Sequence, residues 1–382
     1  MHFLGILGLI LVTTSVAAHF SKKCGIPAVV GQLLVGILLG NAGLKWIHPD
    51  VLVHEFSEIG VILLMFLAGL ESNLSMLKKY FRPGILVALF GILFPVAMGG
   101  LFAKNFNLSF NESLFIGIIL AATSVSISVE VLKELNVMSS KEGLTILGAS
   151  VVDDILVVFL LSVGLSFLTD GETDGGALAI VLLKQLGFFI SLFFLIKWII
   201  PGLIHFSQKI YVKHSTVIIS LIICLGLSYM ADVVGLSAVI GAFFAGVAIG
   251  QTTVKESVFS NVEILGYSLF IPVFFVSIGL EVNFTGFEKQ VWFILLYIII
   301  AVLTKLIGGF LGAKLAGFSN DSALMVGSGM ISRGEMALIV LQIGYQAQLI
   351  DIVYYSPIVT IILVTTLMSP LIMKIFTKRI YH

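Results

Sequence analysis

Two adjacent carboxylates, Asp153 and Asp154, lie in an otherwise apolar run from about Thr145 to Leu168. The run is long enough to cross a bilayer, and the pair falls near its middle. A charged side chain at that depth is costly unless it is paired, protonated or bound to a cation, so an ionisable residue there indicates a functional site. We therefore predict a cation- or proton-binding site at this pair, rather than a helix end in the headgroup layer.

Polar residues also interrupt two other apolar runs at their centres. The first interruption, Ala121–Ser128, has hydroxyl side chains at half of its positions, and the second is Gly327–Met336. A broken helix leaves free N–H and C=O groups, which membranes tolerate only inside protein or against water. Paired interruptions of this kind are typical of transporter binding sites. We predict ligand or lining roles for Thr123 and Ser124.

Three further charged residues lie within the apolar runs. Arg333 and Glu335 belong to the second interruption, where helix ends carry partial charges, so we predict that Arg333 stabilises carbonyl ends and Glu335 amide ends. Lys305 lies in the middle of another run, where an unpaired ammonium would be expensive. We predict that it pairs with one of the two aspartates. Neighbours on a helix point about 100° apart, so the other aspartate would face a cavity and hold a hard monovalent cation.

The composition is that of an integral membrane protein. Of 382 residues, 59% are hydrophobic and only 11% are charged, whereas a soluble protein has about 25% charged residues. The formal net charge is zero, so nothing indicates a nucleic-acid partner, and we predict no cofactor. Apolar segments predict an all-α polytopic protein with about thirteen transmembrane helices. The segments are approximately 3–20, 27–43, 57–71, 83–103, 112–135, 142–168, 177–204, 215–233, 236–250, 259–280, 290–316, 321–348 and 354–377.

The basic residues predict the orientation of these segments. Most Lys and Arg residues lie in the odd-numbered loops and at the C-terminus, whereas Lys45, Lys104 and Lys289 lie in the even-numbered loops. Cytoplasmic loops carry an excess of basic residues. We therefore predict a multi-pass protein of the cell membrane with its N-terminus outside and its C-terminus in the cytoplasm.

The chain also contains an internal repeat. Gly25–Gly31 aligns with Gly235–Gly241, and at the same offset Gly69–Glu71 aligns with Gly279–Glu281. This offset pairs the second and third segments with the ninth and tenth, which defines two six-helix units on either side of a lone seventh segment. Since that segment crosses the membrane once, the second unit is inverted relative to the first. Inverted repeats with paired broken helices are an architecture of secondary transporters.

Together these motifs resemble those of a known family. Val151–Ile155, the break at Thr123–Ser124, Lys305 before two glycines, and Ser332–Glu335 are similar to motifs of the NapA-type sodium/proton antiporters, in the monovalent cation:proton antiporter-2 superfamily. The resemblance covers essentially the whole chain. It implies a secondary active transporter that exchanges sodium, and also lithium, for protons by elevator-type alternating access. It also implies electrogenic exchange, a role in pH homeostasis and a homodimer.

The resemblance further implies residue roles and a domain organisation. Asp154 would be the primary sodium and proton site, and Asp153 would pair with Lys305. We further predict that Lys305 carries a proton. Thr123 and Ser124 would line the sodium site. Residues 1–82 and 215–289 would form a dimerisation panel, residues 83–168 and 290–382 an ion-binding core, and residues 169–214 a linker helix.

Three alternatives remain open at this point. A potassium/proton antiporter would have the same fold. A cation channel needs an open pore and usually a filter from several subunits, whereas inverted repeats with broken helices favour alternating access. An intramembrane aspartyl protease needs two carboxylates facing each other across one bond, which adjacent helical residues cannot provide. The sequence therefore predicts a transporter rather than an enzyme, with Na⁺, H⁺, Li⁺ or K⁺ and the lipid bilayer as its partners.

Overall fold

The computed structural model describes residues 3–24, 27–48, 50–71, 74–103, 106, 108–168, 175–280 and 290–381. In this part of the chain nearly all residues are helical, and the helices are joined by short loops. The helices are α1 (Phe3–Lys23), α2 (Ala28–Leu39), α3 (Val51–Glu71), α4 (Leu74–Ala103), α5 (Phe110–Ala121), α6 (Val125–Glu134), α7 (Lys141–Leu168), α8 (Gly175–Phe194), α9 (Ile200–Ser207), α10 (Ser215–Val233), α11 (Ala238–Ile249), α12 (Lys255–Leu265), α13 (Ile271–Leu280), α14 (Val291–Leu315), α15 (Asn320–Gly329), α16 (Glu335–Gln346) and α17 (Ile352–Tyr381). Short π-helical turns, Leu195–Ile199 and Gly266–Phe270, join α8 to α9 and α12 to α13.

The described residues contain 10 helical stretches that are long and apolar enough to cross a membrane. The fold is therefore an all-helical polytopic membrane protein, as the composition predicts. The count of about thirteen transmembrane helices is not confirmed. The predicted segments 27–43 and 236–250 are helical over only 12 residues each, in α2 and α11, which is shorter than the roughly 17–25 residues of a typical membrane span.

Local sequence signals explain where several helices begin. The Ser109 hydroxyl accepts from the Glu112 N–H while the Glu112 carboxylate accepts from the Ser109 N–H, which is a capping box at the start of α5. Ser319 caps α15 through the N–H of Ser322. The Ser140 hydroxyl accepts from the N–H of Gly143 at 3.1 Å in the first turn of α7. These caps satisfy N–H groups that lack a partner within the helix.

The chain divides into two compact units. One comprises Met1–Leu11, Asp50–Lys78 and Asp174–Phe274, and the other comprises Val12–Pro49, Lys79–Thr173 and Phe275–His382. In the first unit, α3 packs on α11. A Cβ atom on Gly69 would collide with the backbone of Phe243, and one on Gly246 with that of Phe66. Glycine is therefore required for this close approach of two helices.

In the second unit, α2 and α13 approach each other through an equivalent contact. A Cβ atom on Gly36 would collide with the backbone of Val276, and one on Gly279 with that of Leu33. Under the offset of the internal repeat, Gly36 corresponds to Gly246 in the first unit. The same offset relates Gly69 to Gly279. The two units therefore contain matching glycine contacts between corresponding helices.

Both predicted interruptions are present, and both lie in the second unit. The first separates α5 from α6, since the helix ends at Ala121 and resumes at Val125. The second separates α15 from α16, between Gly329 and Glu335. Helix α7, which carries the two aspartates, packs against α5, α6 and α15, and α14 packs against α15 and α17. These contacts bring the predicted site residues into one region of this unit.

Candidate functional site

A buried ion pair joins α7 to α14. The Lys305 ammonium lies 3.1 Å from Asp153 Oδ1, and both side chains are fully buried. The residue positions alone left open which aspartate would contact Lys305, and the family resemblance implied Asp153. The structure places Asp153 there. Asp154, the neighbouring residue on α7, is also buried and interacts electrostatically with Lys305. The two carboxylates therefore have different surroundings, because adjacent helical residues face different directions.

The first interruption lies against this ion pair. The backbone N–H and the hydroxyl of Thr123 are both close to the Asp153 carboxylate, although the hydroxyl makes no hydrogen bond of standard geometry to a described residue. The Ser124 and Ser126 hydroxyls and Asp153 Oδ2 are likewise buried, and none of them has a hydrogen-bond partner among the described residues. Buried oxygens without a partner are costly, and oxygens of this kind are suitable ligands for a hard cation.

The two interruptions contact each other directly. The Ser124 N–H donates to the carbonyl oxygen of Ser332 at 2.8 Å. A Cβ atom on Gly334 would lie 2.7 Å from Ser124 Oγ and 2.8 Å from Ser124 Cβ, so only glycine permits this approach. The Thr366 hydroxyl of α17 donates to the Arg333 carbonyl, which fixes the second interruption from its other side.

Arg333 is fully buried and donates to backbone carbonyls on three sides. Its Nε and Nη2 lie 3.1 Å and 2.8 Å from the oxygen of Leu120, in the last turn of α5. Nη2 also lies 2.9 Å from the oxygen of Ala301 in α14, and Nη1 lies 3.0 Å from that of Ile331. The last carbonyls of a helix have no partner within the helix, and this is where the sequence analysis placed Arg333. Glu335 begins α16, but its side chain lies outside the described residues.

Several polar residues of this region were not singled out from the sequence. Ser128 and Ser332 form hydrogen bonds between the two interruptions. Glu130 of α6 is a further buried carboxylate. At the end of α6, the Glu134 carboxylate accepts from the Ala28 N–H of α2 at 2.9 Å and 3.0 Å. The available signals were hydroxyls inside a recognised interruption and acidic residues inside a predicted apolar segment.

Comparisons with known proteins match nearly the whole chain. The family model described as "Sodium/hydrogen exchanger, transmembrane" matches residues 8–379. A Na⁺/H⁺ antiporter from Enterococcus hirae is 64% identical over 381 residues, which is 100% of each chain. The Na⁺/H⁺-K⁺ antiporter GerN from Bacillus cereus is 43% identical over 369 residues, covering 96% of this chain and 94% of that protein.

A solved structure has the same fold. The sodium proton antiporter MjNhaP1 from Methanocaldococcus jannaschii superposes with a TM-score of 0.73 at 19% identity, over 98% of this chain and 97% of that one. The likeness at this identity concerns the fold alone. The family model, in contrast, matches the amino-acid sequence of this chain from residue 8 to residue 379, and such a match shows the family. The chain therefore belongs to the sodium/hydrogen exchanger family, and it is a multi-pass membrane transporter rather than an enzyme.

Proposed function

We propose that this protein exchanges sodium, and also lithium, for protons across the cell membrane. The observation that carries the proposal is the buried Asp153–Lys305 pair, which lies next to an interruption in which several hydroxyls have no hydrogen-bond partner among the described residues. Asp154, a second buried carboxylate, follows Asp153 on the same helix. The antiporter function of the 64% identical protein supports it. Asp154 would bind either a sodium ion or a proton, with Thr123 and Ser124 as further sodium ligands. Competition for one carboxylate couples the two ions.

The charges of the site suggest how many protons are exchanged. Asp153, Asp154, Lys305 and Arg333 are two buried anions and two buried cations. With a proton on Asp154, the site has a formal charge of plus one. If sodium displaces that proton and Lys305 also releases one, the sodium-bound site becomes neutral, and a neutral buried site is less costly than a charged one. Two protons per sodium would then be exchanged, and each cycle would move one net charge.

We also propose the finer architecture that the sequence analysis predicts: a NapA-type antiporter with thirteen transmembrane helices in two inverted repeats. The matching glycine contacts of α3 with α11 and of α2 with α13 support inverted repeats. Residues 1–82 and 215–289 would form the dimerisation panel of a homodimer, residues 169–214 the linker, and residues 83–168 and 290–382 the moving core. The N-terminus would be outside and the C-terminus in the cytoplasm.

Potassium/proton exchange is the second candidate. The 43% identical relative from Bacillus cereus is named a Na⁺/H⁺-K⁺ antiporter, and carboxylate and hydroxyl oxygens are suitable ligands for either ion. The channel and protease alternatives lose their support, because the family consists of antiporters.

The test is proton flux in proteoliposomes, driven in turn by gradients of sodium, lithium and potassium. The wild-type protein should show sodium-dependent flux that saturates. Asp154→Asn keeps the shape of the side chain but cannot exchange a proton, so it should abolish flux while the protein still inserts. The matched control is Asp321→Asn, which changes an exposed aspartate in the first turn of α15 and should transport normally. Normal sodium-dependent flux in Asp154→Asn would refute the site assignment, and flux with potassium alone would favour the second candidate.

A further inference from the structure

The hydroxyl groups of the first interruption fall into two classes. Those of Thr123, Ser124 and Ser126 are buried without a hydrogen-bond partner among the described residues. The fourth hydroxyl, that of Ser128, is also buried, but it is bonded to the second interruption. The first class contains candidate cation ligands, and the second class has a different role.

Ser128 and Ser332 form what we term the serine clasp. Ser128 Oγ donates to the Gly329 carbonyl at 2.5 Å and lies 2.9 Å from Ser332 Oγ. Ser332 Oγ donates to the Ser124 carbonyl at 2.8 Å. Each hydroxyl has a single hydrogen, so two hydrogens serve three oxygen–oxygen contacts. The two serines therefore form one coupled set, in which the loss of either hydroxyl disturbs the bonds of the other.

This pattern differs from that of other buried hydroxyls in the same unit. Ser328 Oγ donates to the Met325 carbonyl at 2.7 Å, and Thr304 Oγ1 donates to the Ile300 carbonyl at 2.7 Å. Such bonds lie within one helical turn, which is the usual way for a helical hydroxyl to find an acceptor. The clasp instead joins residues more than 200 positions apart, with sequence separations of 201, 204 and 208.

We propose that Ser128 and Ser332 are positioning residues, which hold the backbone of Ser124 in place so that the oxygens around it are ordered before the cation binds. The inference rests on the proposed function. Ser124 is held twice, since its N–H donates to the Ser332 carbonyl at 2.8 Å and its own carbonyl accepts from the Ser332 hydroxyl. Thr123, which lies beside the Asp153 carboxylate, directly precedes Ser124 in the chain.

Pre-organisation of this kind predicts a specific kinetic effect. Without the clasp the cation ligands remain present, but they must be ordered when the ion binds, which lowers affinity. A change confined to ion binding raises the apparent KM for sodium and leaves the maximal rate nearly unchanged. A role limited to general folding would instead lower the amount of active protein and leave the KM as it was.

The experiment compares Ser128→Ala, Ser332→Ala and the double variant with the wild-type protein in proteoliposomes. Each single variant should raise the apparent KM for sodium about three- to tenfold, the size expected for one lost hydrogen bond, with less than a twofold change in maximal rate. Because the two hydroxyls act as a set, the double variant should resemble a single variant rather than show the product of both effects. Ser328→Ala is the matched control, since it removes a fully buried hydroxyl bonded within its own turn, and should leave the KM unchanged.

Thermal unfolding in detergent, measured on the same preparations, separates the outcomes. An unchanged KM with a lower melting temperature in both clasp variants would refute the proposal and leave a structural role. An equal rise of KM in Ser328→Ala would also refute it, because any buried hydroxyl would then have the same effect. If the wild-type protein itself shows no cation-dependent proton flux, the proposed function fails and the inference with it. If Ser332→Ala does not insert, Ser128→Ala alone decides.

Discussion

Replacement of Lys305 separates its role as a proton carrier from its role in a buried ion pair. With Lys305→Gln, the proton-bound site contains Asp153, protonated Asp154 and Arg333, and its formal charge is zero. The sodium-bound site of this variant is neutral as well. The wild-type site instead alternates between plus one and zero under the proposed mechanism. Exchange in Lys305→Gln should therefore be electroneutral.

The expected size of this change is large. One elementary charge that crosses the membrane contributes about 2.3 kcal/mol per 100 mV. An imposed potential of about 100 mV would therefore shift the wild-type exchange equilibrium about fiftyfold. The same potential should leave exchange in Lys305→Gln unaffected. The assay is proton flux at a fixed sodium gradient, with the membrane potential set by a potassium gradient and valinomycin.

The same pair makes a prediction about stability. The Lys305 ammonium and Asp153 Oδ1 are 3.1 Å apart, and both side chains are fully buried. Removal of one partner of a buried pair typically costs about 3–5 kcal/mol, because the other charge remains buried without compensation. Lys305→Met should therefore unfold at a clearly lower temperature, and Asp153→Leu combined with Lys305→Met should recover most of that loss. Lys314→Met is the control, since Lys314 lies exposed on the same helix.

Two results would refute this reasoning. If transport in Lys305→Gln keeps the wild-type proton-to-sodium ratio and its full response to voltage, Lys305 carries no proton. If Lys305→Met has the same melting temperature as the wild-type protein, the ion pair contributes nothing to stability. If Lys305→Met is destabilised and wild-type exchange itself does not respond to voltage, the pair is purely structural, with Asp154 exchanging one proton per sodium.

Three further variants test the contacts around the interruptions. Arg333→Gln should lower both melting temperature and flux, and Arg333→Lys should not restore them, because an ammonium cannot reproduce the planar set of donors that reaches three carbonyls. Gly334→Ala should abolish sodium exchange with helix content retained by circular dichroism, because the new Cβ would lie 2.7 Å from Ser124 Oγ. Glu134→Ala should lower stability by about 1.5–3 kcal/mol, the value of charge-assisted hydrogen bonds such as those to the Ala28 N–H, while exchange persists; unchanged melting would refute that contribution.

The sequence predicts most of this site because polar groups at membrane depth carry a high cost. Asp153, Asp154 and Lys305 are visible as charges in apolar runs, and the hydroxyl cluster from Thr123 predicts the break that separates α5 from α6. A residue that is costly and still present must have a partner or a ligand. The signal therefore lies in the residue type and its depth, and it does not require knowledge of how the helices pack.

Helix lengths are harder to predict, because hydropathy reports which residues are apolar and does not report which of them are helical. The apolar segment 27–43 predicts a span, but α2 ends at Leu39 and residues 40–44 form turns. Since those turn residues are mostly apolar or glycine, hydropathy does not distinguish them from the helix. The opposite error occurs at α4, where the predicted segment is shorter than the helix. Helix α4 begins at Leu74, nine residues before the predicted segment 83–103, because a helix can continue through charged residues outside the hydrocarbon core.

The specific side chains that meet across distant segments cannot be derived from residue positions alone, because those contacts depend on how each helix is rotated. Which aspartate meets Lys305 is decided by an angle of about 100° between neighbours on a helix, and that angle has no meaning until α7 and α14 are placed. The interruptions are harder still. The backbone is not helical at residues 122–124 and 330–334, so no period relates residue number to direction there. The pattern of hydroxyls from Thr123 to Ser128 therefore does not reveal which of them bond across to Ser332.

The division of polar atoms around the interruptions explains how one small region can be both rigid and reactive. Arg333 donates to the Leu120 carbonyl in the last turn of α5. Ser128 and Ser332 each donate to a backbone carbonyl of the opposite interruption, so the backbone of both breaks is held in place. Around the interruptions, the buried side-chain oxygens without a hydrogen-bond partner among the described residues are the hydroxyls of Thr123, Ser124 and Ser126, and Asp153 Oδ2. A cation that binds there gains ligands without breaking any hydrogen bond of the scaffold. Because the scaffold is unchanged, the energy of binding would be available, under the proposed mechanism, to displace protons from Asp154 and Lys305.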